Sequence, residues 1–253
     1  MVSLAAQPVR VLGGFFAMAA DTVVAIGKRP FATREFILQC WFVARVSIVP
    51  TLMLSIPFTV LTVFILNILL VELGAADLSG AGAALGAISQ IGPMVTVLVV
   101  AGAGSTAMCA DLGARTIREE IDAMKVLGID PIQRLVLPRV LAATLVALLL
   151  NSLVAAVGLA GGFLFSVFVQ DVTPGAFVAG MTLVTGLPEV IISVVKAALF
   201  GLSAGLIACY KGLTVKGGPS GVGNAVNETV VFAFMALFVV NVIVTAVGVK
   251  ATL

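Results

Sequence analysis

The sequence contains no histidine, one tryptophan, one tyrosine and few charged residues. Charged side chains make up 10% of its 253 residues, whereas a soluble domain carries roughly 25%. Because 61% of the residues are hydrophobic, most of the protein surface must face something other than water, and lipid is the expected environment. The net charge of +2 gives no support to a nucleic-acid partner.

The absence of histidine also excludes a Ser-His-Asp catalytic set. Cys40, Cys109 and Cys209 lie too far apart in the sequence to predict a metal site, so we expect three buried thiols and no metal. The glycine-rich run Gly102–Thr106 lacks the lysine and the spacing of a nucleotide-binding P-loop. We therefore expect that the chain is not itself an enzyme and binds no cofactor.

Five stretches of the sequence are apolar and long enough to cross a membrane, which takes about 20 residues for about 30 Å of hydrocarbon. They are Val46–Val71, Leu78–Ala110, Val140–Gln170, Pro188–Tyr210 and Thr229–Val249. The fourth stretch contains Lys196, and the third leaves room for a re-entrant break near Gly158–Gly162. The predicted fold class is an all-α integral membrane protein with five transmembrane helices.

Lysine and arginine occur in alternate gaps between these spans. The segment before the first span, the second-to-third gap and the fourth-to-fifth gap contain Arg10, Lys28, Arg29, Arg34, Arg45, Arg115, Arg118, Lys125, Arg134, Arg139, Lys211 and Lys216. The other two gaps carry only the acidic residues Glu72, Asp77, Asp171 and Glu189. Because basic loops remain in the cytoplasm, we predict a cytoplasmic N-terminus and an external C-terminus.

The segment Val9–Ile26 has a pattern different from that of the spans. A helix here places on one face Val11, Leu12, Phe15, Val23 and Ile26. Arg10 and Asp21 interrupt a spanning run, which favours a helix lying in the cytoplasmic interface. A sixth, short span is the alternative. We accordingly divide the chain into an interfacial segment, residues 1–45, and a five-helix domain, residues 46–253.

Three pairs of glycines are spaced about one helical turn apart. They are Gly82 and Gly86, Gly158 and Gly162, and Gly201 and Gly205. Such spacing lets the backbones of membrane helices approach closely. We predict that these glycines pack within the helix bundle, and a subunit interface is the alternative.

The densest group of charges lies in the second-to-third gap, at Asp111–Asp130. The residues that helical spacing places on one apolar face are Ile117, Ile121, Met124 and Gly128. Arg118 and Asp122 can pair across one turn of this helix, and Pro131 is expected to end it. The pattern alone leaves open whether this is a solvated loop helix or a helix that docks into a groove on a cytoplasmic partner.

This segment and its surroundings resemble the MlaE/YrbE permease family. The similarity is longest over Gly102–Ala142, which contains IREEIDAMKVLGIDPIQRLVLPR and is most similar to the YrbE permeases, A-type, of actinobacterial Mce systems. Further matches are Phe31–Phe36, Ile91–Pro93, Lys196 within VVKAALFG, and Asn224–Val231. The resemblance runs from about residue 28 to the C-terminus.

The resemblance implies a lipid-transporting ABC permease of the bacterial cytoplasmic membrane. It implies a coupling helix over residues 110–128 that contacts an ABC ATPase dimer, and this partner binds ATP and magnesium. The coupling residues carried over from the family are Asp111, Arg115, Ile117, Arg118, Glu119, Glu120, Ile121, Asp122, Met124 and Lys125. Other implied partners are a second YrbE-type permease in a heterodimer and MCE-domain proteins on the outer side. The implied activity is import of a fatty acid, mycolic acid or phospholipid.

Two departures from the family pattern bear on the transported lipid. Many members have an Arg-Glu pair where this chain has Ser89-Gln90, and others have an arginine in place of Ala103. Neutral residues at these positions predict a less polar ligand, such as a fatty acid. The residues predicted to line the substrate cavity are Ser89, Gln90, Pro93, Lys196 and Pro57.

Lys196 is the one ionisable residue well inside a predicted span. A lysine at the bilayer centre costs about 2.5–3.5 kcal/mol, so it needs water, a partner or a ligand. We expect its ammonium to face the cavity and to meet an acidic headgroup or a carboxylate. The alternative is that the side chain extends to the outer interface.

Two other functions are compatible with five spans. A self-sufficient secondary transporter or channel for a hydrophobic solute usually has paired charges or broken helices near the midplane. One lysine and no visible repeat argue against it. A membrane scaffold would use the charged segment only to recruit a soluble partner, so dependence of lipid movement on ATPase binding distinguishes it from a transporter.

Overall fold

The computed structural model describes residues 6–75 and 78–252, and its regular elements in these ranges are helices. They are α1 (Ala6–Ala25), α2 (Thr33–Glu72), α3 (Ser79–Ala84), α4 (Gly92–Val99), α5 (Ser105–Ile117), α6 (Glu120–Val126), α7 (Leu137–Val169), α8 (Pro174–Val184), α9 (Leu187–Leu213) and α10 (Gly218–Thr252). Three π-helical segments, Leu85–Ile91, Val100–Gly104 and Ile132–Val136, connect some of them. Asp77, one of the predicted external charges, lies outside the described residues.

Five helical stretches are long and apolar enough to cross a membrane, which confirms the predicted number of spans. They are Thr33–Glu72, Ser79–Ile117, Ile132–Val169, Leu187–Leu213 and Gly218–Gly248. α7 is continuous through Gly158 and Gly162, so the third span has no re-entrant break there. α1 confirms a helix in the N-terminal segment and is not among the candidate spans. Its location in the membrane interface stays a prediction.

The first span is part of a longer helix than predicted. α2 begins at Thr33 and has 40 residues, which corresponds to about 60 Å at 1.5 Å per residue. The predicted boundary between the interfacial segment and the five-helix domain, at residue 45, falls inside this helix, and the division itself stays a prediction. Arg34 and Arg45 interrupt the apolar run but not the helix, because both side chains are exposed.

The bundle has an apolar surface and a partly polar interior. The side chains that α2 buries recur every four residues, and they are Gln39, Val43, Ser47, Thr51, Ser55, Thr59, Val63 and Asn67. Large hydrophobic side chains of the same helix, including Trp41, Met53 and Leu61, are exposed. Soluble monomers rarely expose contiguous apolar patches larger than a few hundred Å². This distribution suits a bundle in lipid, where packing rather than hydrophobicity holds helices together.

The second span is the most buried of the five and alternates between α- and π-helical turns. A π-helical segment over Leu85–Ile91 precedes Gly92 and Pro93. Proline has no N–H to donate to the preceding turn. A Cβ on Gly92 would lie only 2.7 Å from the carbonyl oxygen of Ala87. This short distance belongs to the π-helical turn itself, because the N–H of Gly92 donates to the carbonyl oxygen of Ala87 five residues earlier, and such turns accompany the donor that proline lacks.

The glycine pairs pack within the bundle, as predicted. A Cβ on Gly158 would lie 2.6 Å from the Cβ of Ala87, and one on Gly201 would lie 2.5 Å from the carbonyl oxygen of Ala143. Gly162 approaches Ala83 in the same way. α7 therefore contacts both the second span and α9 at van der Waals distance, which only residues without a side chain permit.

One helix, α8, was not predicted from the sequence. Its N-cap is Thr173, whose hydroxyl accepts a hydrogen bond from the N–H of Ala176 at 3.3 Å, and Pro174 begins the helix. Threonine followed by proline is a typical helix start, so the sequence did contain a signal. α8 packs on α3, where Gly80 approaches the carbonyl group of Phe177 too closely to leave room for a Cβ.

Candidate coupling and substrate sites

The predicted coupling helix over residues 110–128 is two helices rather than one. α5 and α6 are separated at Glu119, whose φ of 61° is left-handed and incompatible with a continuing α-helix. Beyond this break Ile121 is buried in an apolar cluster with Met18 of α1 and Leu135. Burial of Ile121 against the bundle is the physical reason why the chain turns here instead of extending α5.

The end of α6 also differs from the prediction. Gly128, with φ of 72°, ends the helix before Pro131 is reached. The N–H groups of Gly128 and Ile129 donate to the carbonyl oxygens of Lys125 and Met124 at 3.0 and 2.9 Å. This is a Schellman motif, which requires the left-handed conformation that glycine adopts without strain.

The ion pairs of this segment are not the predicted one between Arg118 and Asp122. Arg118 Nε lies 2.9 Å from Glu120 Oε1, and Lys125 Nζ lies 2.8 Å from Asp122 Oδ1. The helix break separates Arg118 from α6, so the four-residue spacing no longer places it above Asp122. Glu120 and Asp122 occupy the first turn of α6, where negative charge stabilises a helix.

The ten residues predicted to couple to an ATPase divide by environment. Ile121 is buried; Asp111, Arg115, Ile117, Glu120 and Met124 are partly buried; Arg118, Glu119, Asp122 and Lys125 are exposed. The apolar face of α6 thus packs on its own bundle and leaves a charged face for a partner. Val126 and Leu127 are 88% and 75% exposed. Helical periodicity missed these two residues because they lie off the apolar face that it identified.

A buried arginine joins three helices beside this segment. Arg139, at the start of α7, is fully buried. Its Nη2 lies 2.5 Å from Asp111 Oδ2 of α5, and its Nη1 lies 3.4 Å from Glu35 Oε1 of α2 and donates to the carbonyl oxygen of Leu135 at 3.1 Å. In the sequence Arg139 is one of several loop charges, and nothing there places Glu35 beside it.

The segments predicted to be cytoplasmic meet at one end of the bundle. Lys28, before α2, lies 3.6 Å from Asp130, after α6. The hydroxyl of Tyr210, near the end of α9, donates to the carbonyl oxygen of Val11 in α1 at 2.9 Å. The basic gaps therefore share one side of the molecule, which is the arrangement that a common cytoplasmic location requires.

The five residues predicted to line a substrate cavity differ in burial. Pro93 and Lys196 are buried, Ser89 is partly buried, and Gln90 and Pro57 are exposed. None of them lines a cavity of about 650 Å³ that the described residues form between α1, α9 and α10. The walls of that cavity are almost entirely apolar. Its lining includes Leu12, Phe16, Leu206, Met235 and Val239.

Lys196 lies on the same side of α9 as a polar contact between α9 and α7. It is 4% exposed and one turn from Ser193, whose hydroxyl accepts a hydrogen bond from Asn151 Nδ2 at 2.9 Å. Within the described part of the chain, neither the Lys196 ammonium nor Asn151 Oδ1 has a hydrogen-bond or ionic partner. This burial favours an orientation into the bundle over extension to the interface, and it leaves the ammonium available to an anionic group.

Comparison with known proteins matches this chain to membrane permeases. The profile of the family described as Permease MlaE matches residues 36–247. A probable ABC transporter permease protein of Synechocystis is 34% identical over 168 residues, which are 66% of this chain and 64% of that protein. The intermembrane phospholipid transport system permease protein MlaE of Haemophilus influenzae is 28% identical over 181 residues, 71% of this chain and 69% of that protein.

A plant protein gives a shorter match. The chloroplastic protein TRIGALACTOSYLDIACYLGLYCEROL 1 of Arabidopsis thaliana is 29% identical over 157 residues, 62% of this chain and 45% of that protein. The chain thus spans less than two thirds of the length of the Synechocystis and Arabidopsis relatives.

Proposed function

The chain belongs to the MlaE permease family, and from this membership we propose that it is the permease subunit of an ATP-driven lipid transporter in the bacterial inner membrane. The observation that carries the proposal is the extent of the match, residues 36–247, which takes in nearly all of the five candidate spans and the α5–α6 pair. A Haemophilus relative named for intermembrane phospholipid transport supports a lipid substrate.

We assign ATP hydrolysis to a separate ABC ATPase dimer that contacts α6. The exposed charges Arg118, Glu119, Asp122 and Lys125 offer both signs to such a partner. The exposed side chains of Val126 and Leu127 offer an apolar contact of the kind that anchors protein interfaces. Nucleotide-driven closure of the ATPase pair would push on α6 and rock the first, second and fifth spans, which opens a cavity toward the outer side.

The remaining partners that we propose are a second permease and MCE-domain proteins. α2 and α10 contain the least buried of the five spans, and their exposed apolar faces suit packing against a second YrbE-type permease. The sequence motif IREEIDAMKVLGIDP, residues 117–131, favours an Mce-type system. In such a system MCE-domain proteins receive or deliver lipid on the outer side, and the direction that we propose is import.

For the lipid we propose a fatty acid, because Ser89 and Gln90 are neutral where the family pattern that the sequence resembles has an Arg-Glu pair. Gln90 is exposed on the second span and can reach a ligand from the surface of the bundle. Gln90→Leu should reduce transport of the true substrate. Intact transport of fatty acid, mycolic acid and phospholipid alike by this variant would remove Gln90 from the site.

The experiment that tests the proposed function is purification of the tagged chain in mild detergent, with mass spectrometry of proteins and lipids. We expect to recover an ATPase, a second permease and MCE-domain proteins, and the co-purified lipid identifies the substrate class. A chain that purifies alone and without lipid contradicts the proposal and supports a self-sufficient transporter.

The same purification tests the docking surface. Glu119→Lys together with Glu120→Lys reverses two charges at the start of α6. The double variant should lower the amount of ATPase recovered with the permease at least tenfold, while the permease itself stays in the membrane. The control is Glu72→Lys, an exposed charge reversal at the far end of α2, which should leave ATPase recovery unchanged. Full ATPase recovery with the double variant refutes docking through α6.

A further inference from the structure

We propose that Arg139 is a positioning residue that exchanges between two carboxylates, those of Asp111 and Glu35, as the cytoplasmic helices move. Its role in transport rests on the proposed function, whereas the exchange itself is a property of this chain. Asp111 belongs to α5, Glu35 to the first turn of α2, and Arg139 to the first turn of α7. Arg139 thus links α7 to the first and second spans, two of the three spans that the proposed transport cycle rocks.

The two ion pairs of Arg139 are unequal in the described state. Its Nη2 is 2.5 Å from Asp111, a short charge-assisted hydrogen bond. Its Nη1 is 3.4 Å from Glu35 and is engaged with the carbonyl oxygen of Leu135 at 3.1 Å. Arg139 is therefore bound to Asp111, and Glu35 is the second carboxylate close to the same guanidinium.

Arg139 cannot leave one carboxylate without finding another. Its side chain is fully buried, and a buried charge without a partner is strongly destabilising. Its Nε is also buried and has no hydrogen-bond partner among the described residues. A guanidinium binds a carboxylate best through two parallel N–H groups. Nε and Nη2 form one such pair, so the idle Nε lies on the edge that binds Asp111, whereas Glu35, near Nη1, gains a second contact only from Nη2 once Asp111 releases it.

Each carboxylate has a second partner that holds it when Arg139 is engaged elsewhere. Asp111 Oδ2 lies 3.5 Å from Arg115 Nε. Glu35 Oε1 accepts a hydrogen bond from Gln39 Nε2 at 3.0 Å. Either acid is thus left satisfied on losing Arg139, which makes two arrangements of the same five side chains compatible with burial.

The position of Asp111 connects this exchange to α6. α5 is one continuous helix from Ser105 to Ile117, so a displacement of α6 that moves the end of α5 also moves Asp111. Thr116 Oγ1 donates to the carbonyl oxygen of Gly212 in α9 at 2.9 Å, which ties α5 to α9 at the same level. A displacement of α6 therefore changes the Asp111–Arg139 contact, which lies between α6 and the membrane-spanning part of the bundle.

The test measures the distance between α2 and the turn after α6 in the full chain in lipid nanodiscs. Spin labels are placed at Trp41→Cys and Leu127→Cys, both exposed sites, in a Cys40→Ser background. Asp111→Asn should move Arg139 to Glu35, and Glu35→Gln should hold it at Asp111. We expect the ratio of the two distance populations to change in opposite directions, by at least tenfold between the two variants.

If Arg139 has a purely structural role, the distance distribution broadens equally in both variants or changes in neither. Either result overturns the proposal. If Asp111→Asn cannot be purified, Glu35→Gln decides alone, since loss of the minor distance population supports exchange and an unchanged distribution refutes it. Arg139→Lys retains the charge but not the two-pronged geometry, and should abolish the two-population behaviour.

Failure of this proposal is distinguishable from failure of the proposed function. The distances are measured without any partner, so opposite shifts in a chain that recruits no ATPase support the exchange and contradict the transporter. Conversely, ATPase recruitment and lipid uptake by a wild-type chain whose variants show no opposite shifts support the transporter and refute the exchange.

Discussion

At the scale of single residues, two buried cations differ in whether their charge has a partner within the chain. Arg139 is surrounded by Asp111, Glu35 and a backbone carbonyl oxygen, so its charge is compensated inside the chain. The Lys196 ammonium has no such partner within the described ranges. Since an uncompensated lysine in a span is costly, we interpret Lys196 as a residue whose partner arrives with the ligand.

Lys196→Ala should therefore reduce lipid transport without impairing assembly. We expect a loss of roughly tenfold, which corresponds to about 1.4 kcal/mol of lost interaction with an anionic group. The measurement is uptake of labelled fatty acid, together with recovery of the ATPase on purification. Lys250→Ala, an exposed lysine near the C-terminus, is the matched control. Normal uptake by a normally expressed Lys196→Ala variant contradicts this role.

The sequence predicted the importance of Lys196 but not that of Arg139, for a physical reason. A lone charge in an apolar run is visible in the sequence, because the cost of burying it depends on the membrane alone. Arg139 lies at the edge of a span, where a charge is unremarkable. Its partner Glu35 is far away in the sequence and becomes a neighbour only when α2 and α7 pack together.

At the scale of the helices, close packing depends on specific glycines of α7. Gly158 faces Ala87 and Thr59, whereas Gly161 on the same helix has nothing within 4 Å of where its Cβ would lie. This difference provides a matched pair of positions within a single helix.

Gly158→Val should destabilise the bundle and Gly161→Val should not. Inserting methyl groups into a packed interface costs about 1–3 kcal/mol, and the valine at position 158 has no flexible neighbour to displace. The measurement is the midpoint temperature of unfolding of each purified variant in detergent, determined from the fraction of protein that remains monodisperse on heating. Equal midpoints for the two variants would show that α7 does not require the close approach that we describe.

The sequence predicted spans more accurately than it predicted breaks between helices. Span number follows from composition, because about 20 apolar residues have few alternatives to crossing the membrane. The break at Glu119 depends on a tertiary contact, the burial of Ile121 against α1. The π-helical turn before Gly92 is local, because the N–H of Gly92 donates to the carbonyl oxygen of Ala87 five residues earlier. Neither feature has a periodic hydrophobic signature.

At the scale of the whole molecule, the arrangement of charges gives the bundle two unlike ends. One end carries α6 and the basic segments, and the other carries Glu72, Asp171 and Glu189 among the described residues. Basic segments remain on the cytoplasmic side, so α6 should lie where an ATPase can reach it. The structure describes the grouping of these segments, and their orientation stays a prediction.

Labelling with a membrane-impermeant maleimide tests this orientation. A cysteine in place of Leu73, exposed after α2, should react in intact cells, and one in place of Leu127 should react only after permeabilisation. The native cysteines are free; Cys109 and Cys209 are buried, and Cys40, contrary to expectation, is only partly buried and is replaced by serine. The reverse labelling pattern would place α6 outside and exclude its contact with a cytoplasmic ATPase.

The polar stripe of α2 has a consequence for biosynthesis. The hydroxyls of Thr51 and Thr59 donate to carbonyl oxygens one turn earlier in the same helix, those of Ser47 and Ser55. Such a side chain brings its own acceptor, so the nascent helix can leave the translocon for lipid before any other span has been made. Two residues of the stripe are exceptions: the Asn67 amide donates to Ser166, 99 residues later, and the buried Ser47 hydroxyl has no hydrogen-bond partner among the described residues. The first span can therefore insert into the bilayer alone, and the Asn67–Ser166 hydrogen bond forms when the third span inserts.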